Sequence, residues 1–554
     1  MTEQFQLYTL CLSSLAKVLP DREPQEQQLH AATALSNEIV SFQVAYRANS
    51  GSKPQRNIEI RVQSEISDRI KVRKVGLVPA ELPCYSDHDE HIISAAPGLY
   101  PDPLLSLTGL DDVITYAEQW RSIWLTVDLG GAVQAGQYPI RVQFVMPNGE
   151  VCGEELFELE VIAAELPPQK LIHTEWFHSD CLAVYYGVDV FSEAHWKLIE
   201  QYLETAVRHG VNMILTPLFT PPLDTEIGGE RPTVQLVDVE RSGSAYTFGF
   251  DRLKRWIRLC EEKGIRYFEF SHLFTQWGAY HAPKIMAAVD GVEERIFGWD
   301  TDAGGAEYRS FLDQFLPVLV TFVVENDLEQ RSYFHVSDEP RLAHIDSYKN
   351  AKEIIYSHLS QFPVIDALSR YEFYEQGLVK NPIPASNHIE PFLEGGVPDL
   401  WTYYCCSQYK EVSNRFIGMP SARNRILGLQ LYKFNIAGFL HWGFNFWFSR
   451  LSVRPIDPYK VTDAVAAFPA GDPFVVYPGE DGPVESLRLE VFYEALQDLR
   501  ALQLLESYIG REEVIKLMDG GLEQEITFSV YPREASWLLA FREKVNALIK
   551  ENSK

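Results

Sequence analysis

Over roughly the first 165 residues, apolar and polar positions alternate with a period of two, in segments such as 38–46 (EIVSFQVAY), 57–62, 121–129, 138–144 and 155–161. A strand with one buried face produces that pattern, because successive side chains point to opposite faces. The turn-rich GGAVQAGQ between two of the later segments suits an antiparallel hairpin and hence a β-sandwich. Pro167 and Pro168 end the alternation and place a domain boundary near residues 163–170. Beyond it, short apolar runs recur at 172–177, 212–217, 265–270, 333–337, 364–368, around Pro384, at 400–405 and at 438–442. Amphipathic stretches lie between them at 193–209, 251–263, 306–324, 345–361 and 422–435, and a last one covers 484–506. Eight strands alternating with helices predict a TIM-type (β/α)8 barrel, distorted at its weakly marked sixth unit. The expected fold class is multidomain β plus α/β: an N-terminal β-sandwich over residues 1–165, then a barrel with C-terminal helices over 166–554.

Composition narrows what such a chain can do. With 46% hydrophobic and 23% charged residues, the 554-residue chain can bury a large core, which excludes disordered and fibrous classes. Lys and Arg number 49 against 77 Asp and Glu, a net charge of −28, so nucleic acid and acidic membranes are not expected partners. The first twenty residues show no basic segment followed by an uninterrupted apolar one, and a cytoplasmic location is expected. Seven cysteines, odd in number and scattered, suggest free thiols in a reducing compartment. Cys405 and Cys406, as neighbours on a strand, are expected to face opposite ways as buried thiols. His88 and His91 in SDHDEH are read as part of a solvated loop in preference to a metal site. HExxH, P-loop, dinucleotide and GxSxG patterns do not occur, so neither cofactor nor metal is implied. Oligomeric state is not set by these features.

Barrels present chemistry at the C-terminal ends of their strands. Those ends carry Glu175, Trp176 and His178, then Glu269, the pair Asp338 and Glu339, Asp366, Tyr403 and Tyr404, and finally Trp442, Asn445 and Trp447. Aromatic faces stack on sugar rings, and scattered polar groups meet hydroxyls, so this rim suits a carbohydrate. Its sharpest feature is the segment 334–340, FHVSDEP, in which a strand ends in two adjacent carboxylates. Side chains that diverge from one strand can flank two atoms of one substrate, giving two roles to two carboxyls. Pro340 is expected to hold Glu339 extended, since the pre-proline position disfavours helical conformation.

FHVSDEPR, LWTYYC at 400–405, GFLHWGFNFW at 438–447, and FVVYPG at 474–479 followed by SLRLE at 486–490 together resemble glycoside hydrolase family 123 and related β-N-acetylgalactosaminidases. The resemblance spans roughly residues 170–510. It implies a retaining exo-glycosidase that releases terminal β-linked N-acetylgalactosamine by substrate-assisted catalysis, with no enzyme nucleophile. Asp338 would then orient the 2-acetamido group and stay ionised, while Glu339 would act as acid and then base from a raised pKa. Tyr403 or Tyr404 would meet the acetamido oxygen, Trp401, Trp442 and Trp447 would wall its pocket, and Trp176, His178 and Asn445 would contact sugar. His335 is read either as orienting Glu339 or as a satisfied core histidine. The implied partner is an N-acetylgalactosamine-terminated oligosaccharide or glycoconjugate, and the net charge favours neutral glycan ends. Alternatives are an N-acetylglucosaminidase, another retaining glycosidase with Glu175 or Glu269 as nucleophile, and a non-catalytic glycan-binding protein.

Overall fold

The structure, a computed structural model, describes residues 5–107 and 113–553. Its N-terminal part contains two facing sheets. One has five strands in the order Leu7–Ser13, Ile39–Ala48, Arg121–Asp128, Ile70–Ala80 and Gly98–Ser106. The other orders Ala31–Leu35, Val151–Ile162, Gly136–Val145 and Glu59–Gln63. The alternation read from the chain is what fills the space between them. Ile140, Val142 and Phe144 are buried while Arg141 and Gln143 between them are not, and Phe42 stacks on Phe157 across the gap at 4.2 Å between centroids. All pairings within these sheets are antiparallel except that of Ala31–Leu35 with Val151–Ile162.

In the α/β part, six parallel strands curl into a sheet in the order Ser332–Tyr333, Tyr267–Phe270, Met213–Thr216, Ile172–Glu175, Gly438–His441 and Trp401–Tyr403. Ile365–Leu368 and Asn381–Pro384 form a separate parallel pair. Single bridges, Phe334 to Val364 and Ala385 to Tyr403, link that pair to the two edges of the larger sheet. The expected helices form at Glu193–Arg208, Asp251–Lys263, Ala306–Glu325, Ile345–Leu359 and Leu487–Ile509, but the 422–435 segment divides into Ser421–Arg425 and Leu427–Lys433. An additional four-stranded sheet, in the order Ala245–Gly249, Asp238–Ser242, Ile285–Val289 and Val292–Phe297, had no counterpart in the sequence pattern. Its strands are only partly buried, with Tyr246 and Phe248 anchoring them on Phe311. Among the described residues no helix is long and apolar enough to cross a membrane.

The helix Leu487–Ile509 joins the two parts. Ser486 caps it by accepting from the Leu489 N–H at 3.2 Å, and its flanks carry charges that reach the N-terminal sheets. Arg73 bonds Glu490 at 2.6 Å and Glu485 at 3.0 Å, while Arg488 grips Asp102 through two bonds of 2.9 and 2.8 Å. The SDHDEH segment is a loop, as expected, with Ser86, Asp87 and Glu90 exposed, but it also makes a structural contact. Asp89 receives both Nη atoms of the buried Arg423, at 2.8 and 2.9 Å, and so ties the N-terminal part to the helix Ser421–Arg425.

Candidate active site

The fourth parallel strand stops at Tyr333 rather than running to Ser337 as the pattern predicted, for a reason visible in its neighbour. The Val336 N–H, which a ladder would use, donates to the Asp366 carboxylate at 3.0 Å, and Tyr348 Oη donates to the same group at 2.5 Å. Released from the sheet, the chain through Asp338 and Glu339 turns over the strand ends. Glu339 adopts φ +43°, in the left-handed region and not extended as its position before Pro340 suggested. Asp224 (φ +39°) and Trp277 (φ +58°), on two other loops, are held in the same way. Each such residue costs on the order of 1–3 kcal/mol, which the surrounding contacts must offset, and such strain concentrates at functional sites.

These three strained residues line one cavity of about 110 Å³, together with Asp338, Tyr403, Trp176 and Trp442. Leu223, Ala367, Leu440 and Phe468 make the rest of its wall largely apolar. Tyr403 Oη donates to Glu339 Oε1 at 2.6 Å, and the Trp277 N–H donates to the Asp338 carbonyl at 3.1 Å. The Trp442 indole is fixed by Asp472 at 3.0 Å, and that of Trp176 by Glu269 at 2.8 Å.

A buried polar network lies beneath Asp338. Glu269 accepts from Trp176, from Thr174 at 2.6 Å and from His335 Nε2 at 2.7 Å, while His335 Nδ1 faces Asp366 at 3.4 Å. Burial alone would lower the His335 pKa, but the two carboxylates outweigh it and raise it to about 9, so the ring is a cation at neutral pH. His272 stacks on it at 4.0 Å, and burial, reinforced by the charge of His335, keeps that second ring neutral. Ligand atoms of His272, His335 and Asp366 lie within 4.8 Å of one another, yet the two rings are only 22° from parallel, so their in-plane lone pairs do not converge on one point. The cluster fits a shared proton better than an ion. Burial and the adjacent Glu339 push the Asp338 carboxyl well above its ordinary range, although Asp338 was expected to stay ionised.

Of the candidate catalytic and sugar-binding residues, Asp338, Glu339, Tyr403, Trp176 and Trp442 meet at the cavity, and the others do not. His335 addresses Glu269 and Asp366 instead of orienting Glu339. Trp401 lies at the opposite end of the strands, packed flat over Gly438, where a Cβ would overlap its ring. Tyr404 points outward against Phe439 and His441, with Arg415 over its face. Trp447 is buried between Tyr185 and Tyr202. His178 and Asn445 bond each other behind the cavity, where burial, with Arg231 alongside, lowers the His178 pKa to about 3. Glu175 is clamped by Arg415 at 2.6 and 3.0 Å, and Glu269 is fully engaged as above, so neither of these carboxylates opens on the cavity. Cys405 and Cys406 both line it, because the strand ends at Tyr403 and alternation no longer applies.

Asp224 and Gln276 were missed. They lie on loops with no periodic signature, and Gln276 accepts from the Asp224 N–H at 2.7 Å while Asp224 accepts from the Leu451 N–H at 2.8 Å. Burial raises the Asp224 carboxyl to about 6. The one cue available was the pair Trp277-Gly278, an apolar residue beside a turn former just past a strand end.

Comparison with known proteins agrees with this geometry. No curated protein matches the chain by sequence. A family 123 glycoside hydrolase from Clostridium perfringens, described in terms of glycolipid glycan hydrolysis, superposes with a TM-score of 0.74 at 16% identity, covering 99% of this chain and 98% of that one. A β-glucuronidase from Parabacteroides merdae (TM-score 0.32, 10% identity, 88% and 52% covered) and an endo-β-1,4-mannanase from Thermotoga petrophila (0.34, 14%, 61% and 78%) are far weaker likenesses. Residues 176–505 match the family described as glycoside hydrolase 123, catalytic domain, and the chain therefore belongs to glycoside hydrolase family 123.

Proposed function

We propose that the protein is a retaining exo-glycosidase that releases terminal β-linked N-acetylgalactosamine through an oxazolinium intermediate. The observation that carries this reading is that Asp338 and Glu339 open on one small, largely apolar cavity while the strand-end carboxylates Glu175 and Glu269 are withdrawn into bonds of their own. With both engaged, the substrate's acetamido oxygen is the natural nucleophile. In the free enzyme, burial and the neighbouring Glu339 favour a proton on Asp338. Productive binding requires that proton on Glu339, beside the leaving oxygen, and a negative Asp338 facing the acetamido nitrogen as it gains positive charge. Tyr403, already bonded to Glu339, bridges the acid and the acetamido pocket. Each proton transfer contributes on the order of 10²–10⁴-fold in rate.

Hydrolysis of 4-nitrophenyl β-N-acetylgalactosaminide, β-N-acetylglucosaminide and β-galactoside provides the test. Turnover is expected only where an acetamido group is present, and efficient cleavage of the plain galactoside would refute the mechanism. One observation favours a second reading, a conventional nucleophile: Asp224 also lines the cavity. In that case Asp224→Gly would regain activity with azide and yield an inverted glycosyl azide. The likeness to the Clostridium perfringens enzyme makes glycolipid glycans one natural source of substrate.

The eight parallel strands, with bridges at Phe334–Val364 and Ala385–Tyr403, support a closed but distorted (β/α)8 barrel over residues 166–554. The charged seam along Leu487–Ile509 supports a scaffolding role for residues 1–165. Seven free thiols favour a reducing, cytoplasmic setting.

A further inference from the structure

A second and larger cavity, of about 530 Å³, lies on the far side of Glu339 and Tyr403, which it shares with the first. Its character is different. Where the catalytic cavity is walled by tryptophans, this cleft presents Arg341, Arg370 and His388, with Asn387 beside them. Both arginines are exposed, and neither appears in any ion pair among the described residues. Glu339 is the one carboxylate on the wall. An acid that protonates the leaving oxygen stands between the sugar it releases and the group that departs, so a cleft beyond Glu339 receives the aglycone. Once the proton is on Glu339, as productive binding requires, the wall carries no negative charge.

From this arrangement, and resting on the glycosidase reading above, we propose that the cleft is an aglycone subsite selecting a leaving sugar that bears an acidic group, a carboxylate or a sulfate ester. Guanidinium groups pair with either oxyanion through two donors, and His388 adds a third contact. The inference reverses the expectation of neutral glycan ends, because the net charge of −28 acts at long range and is screened over about 8–10 Å, whereas two unpaired arginines act at contact.

The test compares β-N-acetylgalactosaminyl disaccharides whose reducing sugar is galactose, glucuronate or galactose 6-sulfate. For the wild type, kcat/KM for at least one acidic disaccharide should exceed that for the neutral one by about tenfold, as expected for two partly exposed charge pairs. The glucuronate and sulfate arms tell the two sources of charge apart. In the double variant Arg341→Gln/Arg370→Gln the acidic-to-neutral ratio should fall to about one, and Arg→Lys at both positions should restore part of it. A wild-type ratio of one or below, or a ratio unmoved by the substitutions, overturns the proposal. If no N-acetylgalactosaminide is cleaved, the glycosidase specificity has failed and the cleft is judged by binding. Calorimetric titration with free glucuronate against glucose should then show acid-selective binding in the wild type that the double variant loses, and equal binding would sink the idea.

Discussion

Two buried regions of this molecule are rich in charge, and they are built on opposite plans. Along the seam between the N-terminal sheets and Leu487–Ile509, carboxylates meet guanidinium groups: Glu490 and Glu485 meet Arg73, Asp102 meets Arg488, and Asp498 meets Arg425 and Arg542. Burial would raise Glu490, but Arg73 beside it holds it far below the usual carboxylate range. Under the catalytic cavity, Asp338, Glu269 and Asp366 share one cation, His335, and Asp338 is pushed up instead. Matched charge locks protons out and fixes geometry, whereas deficient cation leaves a proton available for chemistry. Glu494 shows the rule inside the seam itself: it competes with Asp498 for Arg425, and burial raises it to about 7.

The largest expected effect is at the deficient site. Asp338→Asn and Glu339→Gln should each lower kcat by about 10²–10⁴-fold while the melting temperature holds or rises, because an unmatched acid has been removed. A melting temperature that collapsed with activity would mean that the pair is structural. In the seam the signs reverse. Arg73→Met should destabilise the fold by about 3–5 kcal/mol in urea titration, since buried Glu490 would lose its guanidinium partner and Glu485 would keep only the longer contacts of Arg208 at 3.6 Å and Lys71 at 3.9 Å, with kcat little changed in the protein that remains folded.

His335 sharpens the comparison through pH. Its pKa is about 9 in the folded protein against about 6.5 in the unfolded chain, so the stability it contributes is fully present below pH 6.5 and is lost as pH rises through 9. That loss amounts to about 3 kcal/mol, and His335→Gln should flatten stability across this window in denaturant titrations at pH 6.5, 8 and 9.5. The smallest effect belongs to Tyr403→Phe, which removes one 2.6 Å bond to Glu339 and should lower kcat/KM by about tenfold on acetamido substrates. An unchanged value there would remove Tyr403 from the acid's surroundings.

How far each region could be read from the chain follows from the same contrast. The motif DEP marked Asp338 and Glu339 as a pair because the motif is local in sequence, although the strand stops at Tyr333 and the pair rides on the turn beyond it. Trp401, Tyr404, Trp447, His178 and Asn445 were equally conspicuous, yet their rings and amides point away from the cavity, at the other end of the strands, outward, or behind. Parity along a strand says only that Tyr403 and Tyr404 diverge; which one faces inward depends on closure of the sheet around them. Asp224, Gln276 and the arginines of the second cleft sit on loops, where no period distinguishes a wall from a surface.

Local pattern alone therefore determined the alternating strands of the N-terminal sheets, most of the strands and helices that follow, and the acidic pair, because each depends on neighbours within a few residues. Tertiary structure decided which carboxylates keep a counter-ion and which do not, since the partners of Glu175, Glu490 and Asp102 lie 240, 417 and 386 residues away and the cation shared beneath Asp338 is supplied by the turn of the chain above Asp366. Charge in a buried site is set by what is brought within a few ångströms of it, and distance along the chain carries no record of that.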